Sequence, residues 1–537
     1  MINTLLQLFT FSVSPSLSFS IAYVLSNQTK NHTCSRRFPI INLYIFIILH
    51  IPIFVLFILQ IKKTSKSVRL PPGPRGLPLI GNLHQFVGSK PENVWKLSQK
   101  YGALMSLRLG YVPTLIVSLA KMAKEVMKTY DLVFCSRPAL IGQQKLSYNG
   151  LDLVFSPYDN YYRELRKICV VHLFNSNRVA DFRPVREDEV SRMIEKISKS
   201  AVVSKPVNLS EQMMFLTSTI ISRIGFGKRY EDEGTERSRF HALLNETQAL
   251  FVSFFLSDYF PFIGSWVDKL IGMVNRLENN FKEFDKFYQE LIEGHLDPNK
   301  PKNDREDIID VLLQVRKECG FKVDLTSDHI KAVLMNVFVA GTDTSAATVV
   351  WAMTYLMKNP EIMKKVQGEI RSKVGNKGFV DEDDLQNLPY LKTVVKENMR
   401  LQPTVPFLVP RETTENCVIE GYEIPPKTLG LVNTWAIGRD PEAWENPDEF
   451  YPERFKGSSI DFKGQHFELI PFGAGRKICL GLYMGIATVD LALSNLLYKF
   501  DWEMVPGMKK EDLDFDVLSG ITMHKKNPLR LMVKCYK

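Results

Sequence analysis

Ten residues constrain this chain more than any others: Phe472-Gly473-Ala474-Gly475-Arg476-Lys477-Ile478-Cys479-Leu480-Gly481. Three glycines around one thiol describe a tight loop that presents a sulfur and then runs into a helix. Amide N–H groups and the adjacent cations Arg476 and Lys477 lower a cysteine's pKa and suit a soft metal. A buried free cysteine, acting as a small apolar side chain, is the competing reading and, taken alone, the commoner one.

The other six cysteines, Cys34, Cys135, Cys169, Cys319, Cys417 and Cys535, are scattered, with no CxxC pair. That pattern indicates neither a zinc site nor a dense disulfide framework, and fits a reduced, cytosol-facing body. The balance of 68 Lys+Arg against 59 Asp+Glu gives a net charge of +9. A moderate excess of this kind suits an acidic protein partner or an anionic membrane. No basic stripe interleaved with aromatics is present, which argues against nucleic acid.

Residues 40–61 read IINLYIFIILHIPIFVLFILQI, the length and apolarity of a membrane-spanning helix. The stretch is too long, and lacks the small-residue cleavage site, for a signal peptide. Lys62, Lys63, Lys66 and Arg69 follow at once and favour a cytoplasmic body, although Lys30, Arg36 and Arg37 weaken the bias. Residues 1–39 form an extension of uncertain role, with a second, Ser-rich apolar stretch at 5–25. Its acceptors Asn27 and Asn31 matter only in a lumenal location. Residues 62–81 are a basic and proline-rich hinge, stiff because proline fixes φ and donates no backbone bond.

Residues 82–537 carry no repeat, low-complexity tract or long linker. Helical spacing dominates at 91–101, 159–174, 187–199, 267–295, 328–358, 360–374 and 391–401. Strand-like runs at 105–109, 114–117 and 417–419 are shorter. The expectation is one large domain, mainly α with small β-sheets.

Two further motifs bear on Cys479. In Val337-Phe338-Val339-Ala340-Gly341-Thr342-Asp343-Thr344-Ser345 an acid and hydroxyls interrupt an apolar helix, which is costly unless they are hydrogen-bonded. Ala340 and Thr344 share a face, and Gly341 permits close approach to the backbone. The gap suits a diatomic molecule and a proton relay through Asp343 and Thr344. A kinked core helix with back-bonded hydroxyls accounts for the pattern equally well. Glu397 and Arg400 are three apart on one helix surface, and Arg454 follows in Phe450-Tyr451-Pro452-Glu453-Arg454-Phe455. Alone, such a pair is a solvated face of little energetic weight. Beside the other motifs it reads as a buried Glu–Arg–Arg frame fixing the cysteine loop.

In this order the elements resemble the cytochrome P450 superfamily, over residues 40–537. Tyr161-Tyr162-Arg163, Pro410-Arg411-Glu412 and Asp461-Phe462-Lys463-Gly464-Gln465 resemble the plant microsomal (A-type) clan, nearest its aldoxime-metabolising branch. The resemblance implies a cytochrome P450 fold behind an N-terminal membrane anchor. It implies heme b (iron protoporphyrin IX) held by the Cys479 thiolate as the metal ligand. By the same resemblance Phe472 shields the sulfur, Gly475 and Gly481 shape the loop, and Tyr162, Arg166 and Arg411 meet the propionates. Ala340, Gly341, Asp343 and Thr344 form the oxygen and proton machinery, and Glu397, Arg400 and Arg454 the structural triad.

Three positions depart from the family pattern. Lys477 stands where arginine is usual, with Arg476 one step earlier, so the planar fork is lost. Leu480 replaces a frequent proline, and Tyr162 a usual tryptophan. The resemblance further implies an NADPH-dependent monooxygenase in the endoplasmic reticulum membrane, with a single-pass anchor and a cytosolic body. Its electrons come from NADPH–cytochrome P450 reductase docked around Arg476 and Lys477, with cytochrome b5 as an optional second donor. Pocket segments are expected at 140–154, 250–263, 337–344, 404–409 and 518–523, with 250–263 alternatively a membrane lip. Phe251, Phe254, Phe255, Phe338 and Phe407 suggest a small, flat, apolar aromatic substrate: an aldoxime, or a phenylpropanoid or coumarin to be hydroxylated. A haem-thiolate isomerase or dehydratase that ignores O2, or a non-enzymatic haem-binding membrane protein, are the alternatives; the Asp343-Thr344 pair counts against both.

Overall fold

Apolar spacing resolves into long helices set around one central rod. A computed structural model describes residues 69–86, 90–229, 235–299, 305–318, 324–518 and 520–536, with the side chains of 235–241 excepted. The anchor expected at 40–61, the 1–39 extension with Asn27 and Asn31, and hinge residues 62–68 lie outside the described residues.

In chain order the long helices are α1 (Pro91–Tyr101), α2 (Asn160–His172), α3 (Arg183–Val202), α4 (Leu209–Phe226), α5 (Thr235–Phe251), α6 (Met273–Leu296), α7 (Ile308–Glu318), α8 (Ser327–Lys358), α9 (Pro360–Val374), α10 (Pro389–Leu401) and α11 (Leu482–Lys499). Strands β1 (Leu104–Leu109) and β2 (Val112–Val117) pair antiparallel. Then β2 runs parallel to β7 (Leu429–Val432), which pairs antiparallel with β4 (Arg411–Glu412). Strands β5 (Cys417–Ile419) and β6 (Tyr422–Ile424) form a hairpin. Strands β3 (Val207–Asn208), β11 (Arg530–Cys535) and β8 (Phe500–Met504) form a three-stranded sheet. A final hairpin joins β9 (Val517–Leu518) to β10 (His524–Lys525).

The rod is α8. It is long and apolar enough to cross a membrane, yet 72% of its most apolar window is buried inside the protein. Packing against α4, α10 and α11 covers it, so it is a core helix. Thr326 and His329 cap its start reciprocally, and Pro360 prevents its continuation into α9. The helix expected at 267–295 is broken, because Gly272 takes a left-handed φ of +79° before α6 begins. Helices α4, α5 and α7 went unassigned in the sequence, and of α11 only its start after Cys479 was read. In α11 apolar residues cover almost the whole circumference, which erases the amphipathic period.

Candidate active site

Cys479 leaves a short turn (Gly475–Lys477) and precedes α11, whose N-cap is Gly481. Its amide N–H donates to the Phe472 carbonyl at 3.0 Å, and Ile478 N–H donates to the Gly475 carbonyl at 3.1 Å, so the loop is folded back on itself. Gly475 has φ +70°, and a Cβ there would stand 2.7 Å from the Asp131 carboxylate and against the Met127 carbonyl. Only glycine fits. The sulfur opens onto a cavity of about 580 Å³ deep within the protein. Burial pushes the Cys479 thiol pKa up, while the Gly481 amide and Arg166 act against that shift. A bound metal cation reverses the sign of such a penalty.

Four cationic side chains line the same cavity: Arg137, Arg166, Arg411 and Lys477. Arg166, on α2, donates to Tyr162 Oη and to the Ile478 carbonyl, both at 3.0 Å. Arg137 donates to the carbonyls of Val154 (2.9 Å), Val409 (2.7 Å) and Pro410 (2.8 Å). Burial, then the charge of Arg411, brings the Arg137 pKa down to about 9. Burial likewise lowers Arg411, partly offset by Asp131, and lowers Lys477 to about 6, with Arg137 adding to the effect.

The expected basic docking face needs correction at Lys477. Its ammonium turns inward, donates to the Ser156 carbonyl at 2.7 Å and lies over the Tyr162 ring. Once an anion beside it restores its positive charge, the ring quadrupole holds it there. Arg476 points the other way, away from the cavity, is 44% exposed and pairs with Asp131 at 2.9 Å.

Ala340, Gly341, Asp343 and Thr344 all line the cavity from α8, which stays regularly helical through them. Thr344 Oγ1 donates to the Ala340 carbonyl at 2.8 Å. The space above Gly341 is already taken: a Cβ there would meet Ile221 of α4 at 2.6 Å. The glycine therefore admits a neighbouring helix as much as a ligand. Thr342 Oγ1 is buried without a partner, and Asp343 is buried with its carboxylate against His524 of β10.

Glu397, Arg400 and Arg454 meet, but none lines the cavity. Arg400 forks onto the Glu397 carboxylate at 2.7 and 2.8 Å, and Arg454 Nε donates to it at 3.1 Å. The arginines also donate to carbonyls of Glu445 (2.7 Å), Pro447 (2.6 Å) and Glu449 (3.0 Å). The frame thus clamps the segment ahead of the cysteine loop rather than the loop itself.

Of the five phenylalanines that suggest an aromatic substrate, about half of them expected as wall residues, Phe251 alone lines the cavity. Phe254 stacks on Tyr259 at 4.8 Å, Phe255 and Phe338 are fully buried, and Phe407 packs on Phe86 at 6.1 Å. These are core contacts, the usual fate of aromatics. Residues 140–152 of the expected 140–154 segment also stay off the wall, which takes Leu153 and Val154 and, just beyond, Phe155. Phe155 stacks on Phe251 at 5.0 Å. The sequence reading missed Arg137, Phe155, Gln248 and His524, which also line the cavity. Arg137 alone carried a local signal: Pro138 holds it extended.

The cytochrome P450 family profile matches residues 71–532. This chain is a cytochrome P450. It is 51% identical over 503 residues to a "6,7,8-trihydroxycoumarin synthase" of Pastinaca sativa, covering 92% of this chain and 99% of that one. It is 52% identical over 502 residues to a "5-OH-xanthotoxin synthase" of the same plant, covering 92% and 98%. A zebra fish cytochrome P450 structure with progesterone shares the fold at 24% identity, with a TM-score of 0.72 over 83% of this chain and all of that one. The plant clan of this cytochrome P450 and its mainly helical fold follow. It is a monooxygenase that uses heme b and receives NADPH electrons through a reductase.

The residues fit that cofactor. Of the crowded Arg137, Arg166, Arg411 and Lys477 only Arg411 has a carboxylate partner among the described residues, Asp131 at 3.3 Å, so a dianionic carboxylate pair would balance the excess charge. An iron cation is what a thiol raised by burial lacks.

Proposed function

We propose that this cytochrome P450 hydroxylates a coumarin-type substrate, a flat aromatic lactone, in the cavity above Cys479. One observation carries the choice: in a wall of largely apolar side chains, the buried Gln248 Nε2 has no hydrogen-bond partner among the described residues. An amide donor left unpaired is costly, and a lactone carbonyl would satisfy it. The stacked Phe155 and Phe251 supply a flat surface for the ring system. The coumarin names of two relatives at 51% and 52% identity support the same choice over an aldoxime.

In this reading the Cys479 thiolate would hold the haem iron, with Phe472 beside it and Gly475, Arg476 and Gly481 shaping the loop. Arg137, Arg166, Arg411, Lys477 and Tyr162 receive the carboxylates. When bound, haem supplies the activation of O2 that the protein's own side chains cannot. The chain's residues supply position and protons. Asp343 brings a proton to the groove between Ala340 and Thr344. Thr344 passes it on by turning its hydroxyl away from the Ala340 carbonyl. Glu397, Arg400 and Arg454 keep the preceding segment in place.

Arg476 and the neighbouring exposed Lys128 form the reductase face. Cytochrome b5 would use that face too. Residues 40–61 anchor the protein once in the endoplasmic reticulum membrane with the body in the cytosol. Phe262, Ile263, Trp266 and Leu270 are 84%, 60%, 68% and 64% exposed, an apolar ridge suited to the lipid surface.

Spectral titration of the ferric protein with coumarins and with aromatic aldoximes tests the reading. Coumarins should displace water and shift the spin state, and Gln248→Leu should weaken them by about 1–2 kcal/mol. A response to aldoximes alone, or equal binding by Gln248→Leu, would contradict it.

A further inference from the structure

Asp343 has a partner that the proton-relay picture does not use. Its side chain is 5% exposed, and an isolated carboxylate at such depth is costly unless paired. Among the described residues, its ion-pair contact is His524 Nε2, which touches Asp343 Oδ1. The two atoms meet without the alignment of a hydrogen bond. Both residues line the cavity.

The contact is built from distant parts of the chain and is held firmly. Trp351, two turns beyond Asp343 on α8, donates from Nε1 to the Met523 carbonyl at 2.9 Å. Met523 N–H donates to the Thr404 carbonyl at 2.7 Å. On its other side Lys525 donates to the Asp514 carbonyl at 2.6 Å. The residue before His524 and the one after it are thus pinned, so the imidazole is delivered to one place on α8. Its neighbour Lys525 is already paired with the Asp514 carboxylate at 3.0 Å, which leaves the histidine as the group that faces Asp343.

We propose that His524 is a positioning and proton-supplying residue that acts through Asp343. His524 Nε2–H gives its proton to Asp343 Oδ1, leaving a neutral imidazole and a carboxylic acid. The acid then turns toward Thr344 and gives that proton to the groove. A proton from bulk solvent, relayed by water in the cavity, restores the imidazolium, so charge and protons balance over a cycle. Histidine suits the task because it gains and loses a proton near neutral pH. The proposal rests on the reading of Asp343 and Thr344 as the proton-delivery pair.

The test is a double-mutant cycle in the full-length holoenzyme with reductase, using His524→Gln, Asp343→Asn and the double variant. Glutamine keeps a donor for Asp343 but cannot relay a proton. Peroxide released per NADPH consumed is measured together with the infrared C–O stretch of the ferrous carbon-monoxide adduct, which senses the groove without turnover. The account expects His524→Gln to raise peroxide by roughly threefold or more, as loss of a positioned proton donor does. It also expects the double variant to match Asp343→Asn, and both single variants to shift the stretch. Uncoupling by Asp343→Asn with a wild-type His524→Gln would overturn the role of His524 and leave the delivery pair intact. Wild-type coupling in Asp343→Asn would overturn the delivery pair itself. Strictly additive effects would show that His524 acts independently of Asp343, which also contradicts the proposal.

Discussion

Lys477 Nζ lies 3.5 Å from the centre of the Tyr162 ring. The two positions, 315 residues apart in sequence, are both departures from the family pattern, and in the fold they touch. The phenol serves three roles at once. It faces the ammonium, donates to the Arg476 carbonyl at 3.2 Å and accepts from Arg166 at 3.0 Å. A tryptophan here would offer a larger face but could not accept from Arg166. Tyr162→Trp and Lys477→Arg should each lower haem retained per polypeptide, and the double variant should lose less than the two singles together. The expected coupling is about 1 kcal/mol. Haem content measured against far-ultraviolet circular dichroism checks it; additive losses would separate the pair.

Glu397 is fully buried between two arginines and also accepts the Tyr451 N–H at 2.8 Å. Removing one member strands the rest in a low-dielectric interior. Glu397→Ala should therefore cost about 3–5 kcal/mol, a large part of an ordinary protein's stability. Little soluble, haem-loaded protein should be recovered. Thermal unfolding of the recoverable fraction is the measurement, and a melting temperature equal to wild type would refute the frame.

Asp490, on α11, carries a carboxyl oxygen that is buried without a hydrogen-bond partner among the described residues. Burial raises its pKa to about 7, with only Lys392 acting the other way. The native state therefore holds this proton at pH values where the unfolded chain, near 3.8, has released it. Stability should be complete below about pH 4 with respect to this group and fall as pH rises toward 7, by roughly 1.4 kcal/mol per unit. Asp490→Asn should unfold at a higher temperature than wild type at pH 8 and show a flatter pH profile between 5 and 8. Parallel profiles would contradict the assignment.

Gly341 and Ile221 make a tight contact of α8 with α4. Gly341→Ala should destabilise by about 1–3 kcal/mol, since the new methyl overlaps Ile221. Ile221→Val beside it should restore part of the loss. Denaturant midpoints of the three variants decide the matter, and an undisturbed Gly341→Ala would mean that Ile221 yields freely.

The site was legible where chemistry is local. The cysteine loop advertises itself through its glycines, and Gly475, where no Cβ fits, shows why. The acid and hydroxyls of α8 stand out because they break an apolar helix. What the sequence hid depends on tertiary direction. Nothing in the spacing says that Lys477 points in and Arg476 out, or that Phe254 and Phe407 face the core while Phe155 faces the cavity. His524 meets Asp343 only because Trp351 holds the last hairpin against α8. Helix α11 was legible only at its start after Cys479, because a helix buried on every side has no polar stripe to reveal its period.

The most direct test of the account is turnover with labelled dioxygen. The full-length protein, reductase, NADPH and a coumarin are incubated under oxygen-18, with Cys479→Ser in parallel. The account predicts a hydroxylated coumarin carrying one labelled oxygen atom. It also predicts that the variant forms neither this product nor the red-shifted carbon-monoxide band of a thiolate-bound haem. A product formed without dioxygen, or a Cys479→Ser variant that keeps the band, would contradict it.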